Sequence, residues 1–301
     1  MCELSKKVNR AIEVLKMYEP LDEPYFLCYS GGKDSDCIRI LSELSGVKYD
    51  IVHSITSLDA PETIRYIKTI PNVKLQFAHY SDGTSKNIWN LIPNKLMPPT
   101  RLSRYCCEEL KEQGGKGRLK ITGVRSSESH NRSVNGGEIK ILGKPKTTQK
   151  YLNNNNIDYS LNQKGGIILN FDNSDSRRAV EHCYRTTSTM INPILDWSES
   201  DVWEFLKYYG CESNPLYKCG FKRIGCIGCP LGGYSSMKKE FKLYPKYKDN
   251  IIRAFDKMLI ERINRGKKNN DMWSSGESVF YWWLDIDNSQ LTFDGFSNFD
   301  I

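Results

Sequence analysis

Residues 25–46 read Tyr25-Phe-Leu-Cys-Tyr-Ser30-Gly-Gly-Lys-Asp-Ser35-Asp-Cys-Ile-Arg-Ile40-Leu-Ser-Glu-Leu-Ser45-Gly46. The opening apolar and aromatic run, after Pro24, predicts a buried strand. Cys37, Ile38, Ile40, Leu41 and Leu44 then recur at helical spacing, and Gly46 marks a helix stop. Between strand and helix stands Ser30-Gly31-Gly32-Lys33-Asp34-Ser35. Two glycines let the backbone bend and approach a ligand closely. A helix N-terminus presents unpaired N–H groups and a positive dipole end to an anion. Lys33 adds a cation, and Ser30 and Ser35 add hydroxyls. The element reads as a phosphate cradle, although it is not a G-x-x-x-x-G-K-S/T loop.

The same grammar continues outward. Residues 5–18 form an amphipathic helical pattern, Lys48–His53 a strand, Thr63–Ile70 a helix opened by Pro61, Val73–Ala78 a third strand and Lys120–Val124 a fourth. Alternating strands and helices predict an α/β fold, Rossmann-like and doubly wound, with a mainly parallel sheet and a helical, cysteine-bearing C-terminal part. Ser198, with Asp201 three residues on, predicts the start of a helix that carries Trp203, and Trp197 and Trp203 are expected in the core. Residues 131–182, with Asn153–Asn156 and two Gly-Gly pairs, read as an insertion with a hairpin at 157–171, more a lid or partner surface than a domain. Residues 237–266 read as a basic helical tail. The expected organisation is a catalytic domain over 1–235 and a helical extension over 236–301.

The 301 residues carry 43 basic and 36 acidic side chains, a net charge of +7 that suits anionic substrates without marking a nucleic-acid binder. Mean hydropathy is −0.55, so no membrane span is expected, and the first residues lack the apolar stretch of a secretory signal. A cytoplasmic location is expected. There the ten cysteines stay reduced, and their clustering as Cys106-Cys107 and Cys226-Ile-Gly-Cys229 favours metal ligation or catalysis. Four thiolates suit zinc or an iron–sulfur cluster. Cys219 is a rival for one place in that set, while Cys28 and Cys37 read as packing. Gly123-Val-Arg125 follows a predicted strand, where open α/β sheets build their ligand crevice. Arg125 and Arg132 are therefore candidate clamps for phosphate or sulfate, and His130 lies beside them.

Ser30–Ser35 resembles the PP-loop of the adenine-nucleotide α-hydrolase-like superfamily. Within that superfamily the chain is similar to the phosphoadenosine phosphosulfate (PAPS) reductase family. The similarity runs on through Asp59–Thr63, Arg104–Lys111, Gly123–Ser129, Asn192–Trp203, Asn214–Tyr217 and Gly220–Pro230. The resemblance implies a nucleotide site of Ser30, Gly31, Gly32, Lys33, Asp34, Ser35, Asp59, Gly123, Arg125 and Arg132, with Lys33 and Arg125 as the catalytic pair. It implies a 4Fe-4S cluster, rather than zinc, on Cys106, Cys107, Cys226 and Cys229, and Mg²⁺ accompanying ATP. Sulfonucleotide reductases use a cysteine in a C-terminal Glu-Cys-Gly-Leu-His segment. This sequence has no such segment and no cysteine after Cys229. The expectation is therefore cleavage of ATP to AMP and pyrophosphate, activating an acceptor for sulfur transfer. The expected partners are an adenine nucleotide, a sulfur-donor protein such as a cysteine desulfurase, and a nucleic-acid acceptor, with no membrane. Sulfonucleotide reduction and a non-catalytic nucleotide or nucleic-acid binding module are the alternatives.

Overall fold

The computed structural model describes residues 3–128, 130–143, 145–169, 173–185, 187–269 and 272–284. The chain forms two compact units. The first comprises Met1–His53, Pro61–Gln76 and Gly114–Ile224, and the second Ser54–Ala60, Phe77–Gln113 and Gly225–Ile301. Residues 225–235 thus belong to the same unit as the C-terminal helices.

In the first unit the strands are β1 (Tyr25–Cys28), β2 (Tyr49–Ser54) and β3 (Lys74–Gln76), then, beyond a short pair taken up below, β6 (Lys120–Ile121), β7 (Ile139–Leu142), β8 (Tyr159–Leu161), β9 (Ile167–Leu169) and β10 (Ser188–Ile191). They form an eight-stranded sheet in the order β3-β2-β1-β6-β10-β7-β9-β8. Strand β1 pairs in parallel with β2 and β6, and β6 in parallel with β10. The strand order runs one way from β1 through β2 to β3 and the other way through β6 to β10. The reversal therefore falls between β1 and β6, the place where such sheets bind ligands.

The helices of this unit are α1 (Glu3–Met17), α2 (Lys33–Ser45), α3 (Pro61–Thr69), α6 (His130–Asn135), α7 (Pro145–Asn154), α8 (Ser174–Cys183) and α9 (Glu199–Tyr208). Helices α1, α2 and α9 join the sheet in one core through Leu15, Leu27, Ile38, Leu41, Ile121, Ile191 and Phe205. Helix α2 ends where Gly46 takes a φ of 71°, as its glycine stop implies. Helix α9 begins with the expected reciprocal cap between Ser198 and Asp201.

The 131–182 stretch differs from expectation. The 157–171 hairpin is present as β8 and β9, but β7, β9 and β8 extend the main sheet as antiparallel strands. The alternation Ile139-x-Ile141 and Ile167-x-Leu169 puts these side chains into the core, which makes the stretch part of the fold and not a lid. The expected third strand is also shorter, ending at Gln76. The next two residues open a separate hairpin in the second unit.

That unit holds β4 (Ala78–His79) paired antiparallel with β5 (Ser85–Lys86), then α4 (Ile88–Lys95) and α5 (Tyr105–Cys107), which runs on as a π-helical turn over Glu108–Glu112. The basic tail is two helices, α10 (Tyr234–Leu243) and α11 (Pro245–Asn264), because Pro245 starts a new helix at its first position. Helix α12 (Gly276–Leu284) follows. Phe241, Phe255, Phe280 and Trp283 pack edge to face or tilted, and Trp283 donates its indole N–H to the Pro99 carbonyl at 2.6 Å. No helix among the described residues is long and apolar enough to cross a membrane.

Trp197 is fully buried and meets Phe205 edge-on at 5.0 Å. Trp197→Ala should lower stability by about 3–5 kcal/mol. A urea denaturation midpoint unchanged from wild type would show that this ring does not anchor α9 to the core.

Candidate nucleotide site and cysteine cluster

The phosphate loop lies at the C-terminal end of β1, in the first unit. Gly31 adopts a φ of +72°, and a Cβ there would come within 2.9 Å of Ile67. Gly32 caps α2, and its N–H donates to Ser35 Oγ at 3.1 Å. Ser30 and Ser35 hydroxyls are 3.2 Å apart. Gly123, at the end of β6, lies so close to α2 that a Cβ would be 2.9 Å from the Asp34 carbonyl oxygen. The loops after β1 and β6 are thus pressed together at the strand-order reversal.

Two cations are buried there. Lys33 is 5% exposed and Arg125 is 3% exposed. Arg125 Nε donates to Asp34 at 2.6 Å and Nη2 donates to Glu199 at 2.8 Å. Lys33 Nζ lies 3.7 Å from Asp34 Oδ2 and 3.5 Å from Glu199 Oε1. Burial acts against the Glu199 carboxylate, but the Lys33 charge and the Arg125 hydrogen bond outweigh it and hold its pKa below the usual range. The Lys33 backbone N–H donates to the Tyr217 hydroxyl at 2.9 Å. Asn214, also buried, donates to the Gly31 carbonyl and to Thr63 Oγ1.

Arg132 forms an ion pair with Glu128, whose carboxylate also accepts the Arg125 backbone N–H at 3.2 Å. The side chain of His130 and all of Cys2 lie outside the described residues. Asp59 belongs to the second unit. There its carboxylate accepts from the Thr56 N–H at 2.7 Å, and its carbonyl accepts from the Tyr247 hydroxyl at 3.0 Å.

Glu199, Asn214 and Tyr217 are absent from the expected site set. All three lie within the Asn192–Trp203 and Asn214–Tyr217 stretches that carry the resemblance, which was the available signal. Trp203 is a correction. It is 37% exposed and not a core residue, because its indole N–H reaches Glu199 at 3.0 Å and its ring stands edge-on to Tyr217 at 5.1 Å. A cavity of about 850 Å³ elsewhere in this unit, with Arg39, Tyr66, Cys211 and Lys218 in its wall, includes none of Ser30–Ser35.

Behind the loop, Asp36 is fully buried and accepts from the hydroxyls of Tyr29 at 2.6 Å and Tyr66 at 3.0 Å. Burial raises its pKa to about 6, against the opposing pull of both hydroxyls and of Arg39.

In the second unit Cys106 and Cys107 lie on α5, and Cys226 and Cys229 on a turn closed by the Cys229 N–H to the Cys226 carbonyl at 3.3 Å. The loop before α3 braces that turn: Asp59 and Cys226 form a β-bridge, and the Ile227 N–H donates to the Leu58 carbonyl at 2.7 Å. The hydrogen bond between Cys106 and Cys107 favours the thiolate at Cys107, which Arg104 and Lys111 also stabilise despite burial. The same bond raises Cys106, with burial and then the charges of Cys107, Cys226 and Cys229 adding to it. Burial also raises Cys229, and the charges of Cys226 and Cys107 raise it further. The charge of Cys226 is the largest influence on Lys111, holding it firmly protonated.

Cys106 and Cys229 therefore feel the charge of neighbouring thiols. A soft cation relieves such repulsion and binds the deprotonated form, so the donor chemistry fits a metal or cluster. Among the described residues, however, no three Cys, His, Asp or Glu side chains are already gathered as a metal-holding group. Cys219 is exposed and belongs to the first unit. The nine described cysteines are all free thiols, with Cys37 and Cys183 buried.

A mainly parallel sheet with a glycine-bent, lysine-bearing loop at its strand-order reversal is the arrangement of the PP-loop fold. Residues 24–231 match the phosphoadenosine phosphosulfate reductase domain, and the chain belongs to that family. It is 27% identical over 248 residues to an uncharacterized protein of Methanocaldococcus jannaschii, covering 79% of this chain and 43% of that protein. A second uncharacterized protein of that organism is 26% identical over 259 residues, with 81% and 51% covered. The chain thus spans about half the length of these relatives. An adenosine 5'-phosphosulfate reductase of Allochromatium vinosum is 46% identical over 39 residues, 13% of this chain and 15% of that enzyme. Among solved structures, a phosphoadenylyl-sulfate reductase of Candida auris in a phosphate complex aligns at 13% identity and a TM-score of 0.42, over 74% of this chain and 93% of that one.

The raised Asp36 pKa has a direction that can be tested. Between about pH 4 and pH 6 the folded protein holds a proton that the unfolded chain has released, so stability falls as pH rises through that window. Asp36→Asn should gain on wild type by about 2 kcal/mol between pH 4 and pH 7. Urea denaturation at both pH values checks this, and a difference that stays constant with pH would remove Asp36 as the titrating group.

Proposed function

We propose that this protein binds the phosphates of ATP on Ser30–Ser35 and cleaves the nucleotide to AMP and pyrophosphate, activating an acceptor for sulfur transfer. The observation that supports this reading is the burial of Lys33 and Arg125 beside the α2 N-terminus at the strand-order reversal. An acceptor oxygen would attack the α-phosphorus. The bond from that phosphorus to the bridging oxygen would break, and pyrophosphate would leave with the electron pair. A sulfur nucleophile would then displace AMP, which departs with the acceptor oxygen. Lys33 and the α2 N–H groups would hold the leaving pyrophosphate, and Arg125 would offset the charge that develops on it. Gly31 and Gly32 would let the backbone meet the phosphates, and Gly123 would keep Arg125 close to Asp34. Mg²⁺ would arrive on the triphosphate and screen its charge.

Cys106, Cys107, Cys226 and Cys229 would hold the 4Fe-4S cluster, which when bound would supply a redox-active or electrostatic centre. Arg104 and Lys111 would balance the charge of its thiolates. The sulfur donor and the acceptor, a nucleic acid among the candidates, would be separate molecules.

A second reading, sulfonucleotide reduction, is favoured by the 39-residue similarity to the Allochromatium vinosum enzyme. In that reaction a thiolate attacks the sulfate sulfur, AMP leaves, and a dithiol reduces the thiosulfonate to release sulfite. The thiolate would have to come from outside the four-cysteine set.

Incubating the full chain anaerobically with Mg²⁺-ATP should yield AMP and pyrophosphate in equal amounts, water taking the acceptor's place, and Lys33→Ala should weaken ATP binding about tenfold or more. Lys33→Ala binding ATP as tightly as wild type would sink the phosphate-loop assignment. Dithiol-dependent sulfite from a sulfonucleotide, without ATP cleavage, would establish the second reading instead.

Anaerobically purified protein should contain about four irons and four sulfides per chain. Ser in place of any of Cys106, Cys107, Cys226 or Cys229 should remove most of that iron, while Cys219→Ser should keep it. Bound zinc in place of iron, or loss of iron with Cys219→Ser, would overturn the assignment.

A further inference from the structure

Three donors of the phosphate cradle, the Lys33 N–H, the Lys33 ammonium and the Arg125 guanidinium, are already engaged by the protein's own oxygens, the ammonium also by the Lys222 carbonyl at 3.4 Å. The Lys33 N–H, the donor that the α2 N-terminus would offer a phosphate, is given to Tyr217. Glu199 sets one oxygen 3.5 Å from Lys33 Nζ and takes the other's hydrogen bond from Arg125. Asp34 is part of the loop, but Glu199 and Tyr217 are brought from far along the chain, by α9 and the turn Pro215–Tyr217. Trp203 ties the two together, with its N–H on Glu199 and its ring edge against Tyr217.

We propose that Glu199 and Tyr217 form an anion-mimicking latch, standing where two oxygens of a polyphosphate bind and leaving when it arrives. The inference rests on the reading of Ser30–Ser35 as a phosphate site and adds the groups that compete for it. Asp34 alone gives one negative charge to two buried cations, and buried charge without full pairing is costly, so the empty cradle calls for a second, surrogate anion. The two groups are suited to leave. The Glu199 side chain is 57% exposed and can swing into water. Tyr217 is a neutral acceptor, and burial keeps its hydroxyl protonated. A neutral oxygen and a singly charged carboxylate are weaker partners for two cations than a diphosphate, so the latch favours ligands with several charges over inorganic phosphate.

The test uses the full chain and inorganic pyrophosphate as the probe, with inorganic phosphate alongside. Calorimetry should show Glu199→Gln and Tyr217→Phe each binding pyrophosphate about threefold to tenfold more tightly than wild type. A residue that merely shaped the site would give weaker binding when changed. Pyrophosphate should also change the tryptophan fluorescence of wild type, and Trp203→Phe should lose that change. Equal or weaker binding by either variant overturns the latch while leaving the phosphate site standing. Absence of pyrophosphate and ATP binding in all the proteins overturns the site and the latch together. Should a variant not fold, the fluorescence comparison of wild type with Trp203→Phe decides, and an identical response in both overturns the proposal.

Discussion

Lys33 and Arg125 are two positive charges removed from water within one small region, and the surrounding architecture answers to that constraint. A buried cation is tolerated only when it is paired and hydrogen-bonded. Asp34 and Glu199 supply the opposite charge, and each reaches both cations. The strand order places the ends of β1 and β6 side by side, so the two loops share these carboxylates. The absence of a side chain at Gly123 permits that approach. The Ser198 cap sets where α9 begins and so puts Glu199 in its first turn, facing the pair. Asn214 fixes Gly31 from beneath, which keeps the left-handed turn of the loop in place.

Much of this was legible in the residues. The strand, glycine turn and helix of 25–46 appear where hydrophobic period and glycine position put them, because local pattern and tertiary packing agree there. The extension of the sheet by residues 139–169 was not legible. Its strands are three or four residues long, and the asparagine and glycine runs between them masked the alternation of Ile139, Ile141, Ile167 and Leu169. The partners of Arg125 were also hidden. A sequence shows a guanidinium after a strand, but not that Glu199, 74 residues on, will meet it. Trp203 misled for a related reason. Helical spacing from a buried neighbour predicts the core face, whereas this ring bridges Glu199 and Tyr217 at the surface.

The two units present opposite electrostatic problems. In the first, cations are matched by carboxylates that the chain provides. In the second, the charges of neighbouring thiols push Cys106 and Cys229 up, while the Cys106 hydrogen bond, Arg104 and Lys111 pull Cys107 down. A self-neutralised cradle can exchange its internal anions for those of a ligand and return to the same state. A cluster of thiols held partly protonated by one another has no such internal exchange, and a soft cation from outside binds its deprotonated form. The first arrangement therefore suits a ligand that comes and goes, and the second suits one that stays.

That contrast also bears on selectivity in the first unit. An anion entering the cradle must replace existing hydrogen bonds and ion pairs, so its gain is the difference between its contacts and those it displaces. For a monophosphate the difference is small, because one doubly charged group replaces one carboxylate and one hydroxyl. For a polyphosphate the added charges meet Lys33, Arg125 and the α2 N–H groups together, while Glu199 recovers its hydration. Discrimination by charge number then follows from the resting pairing itself, without a contact to the base or the sugar.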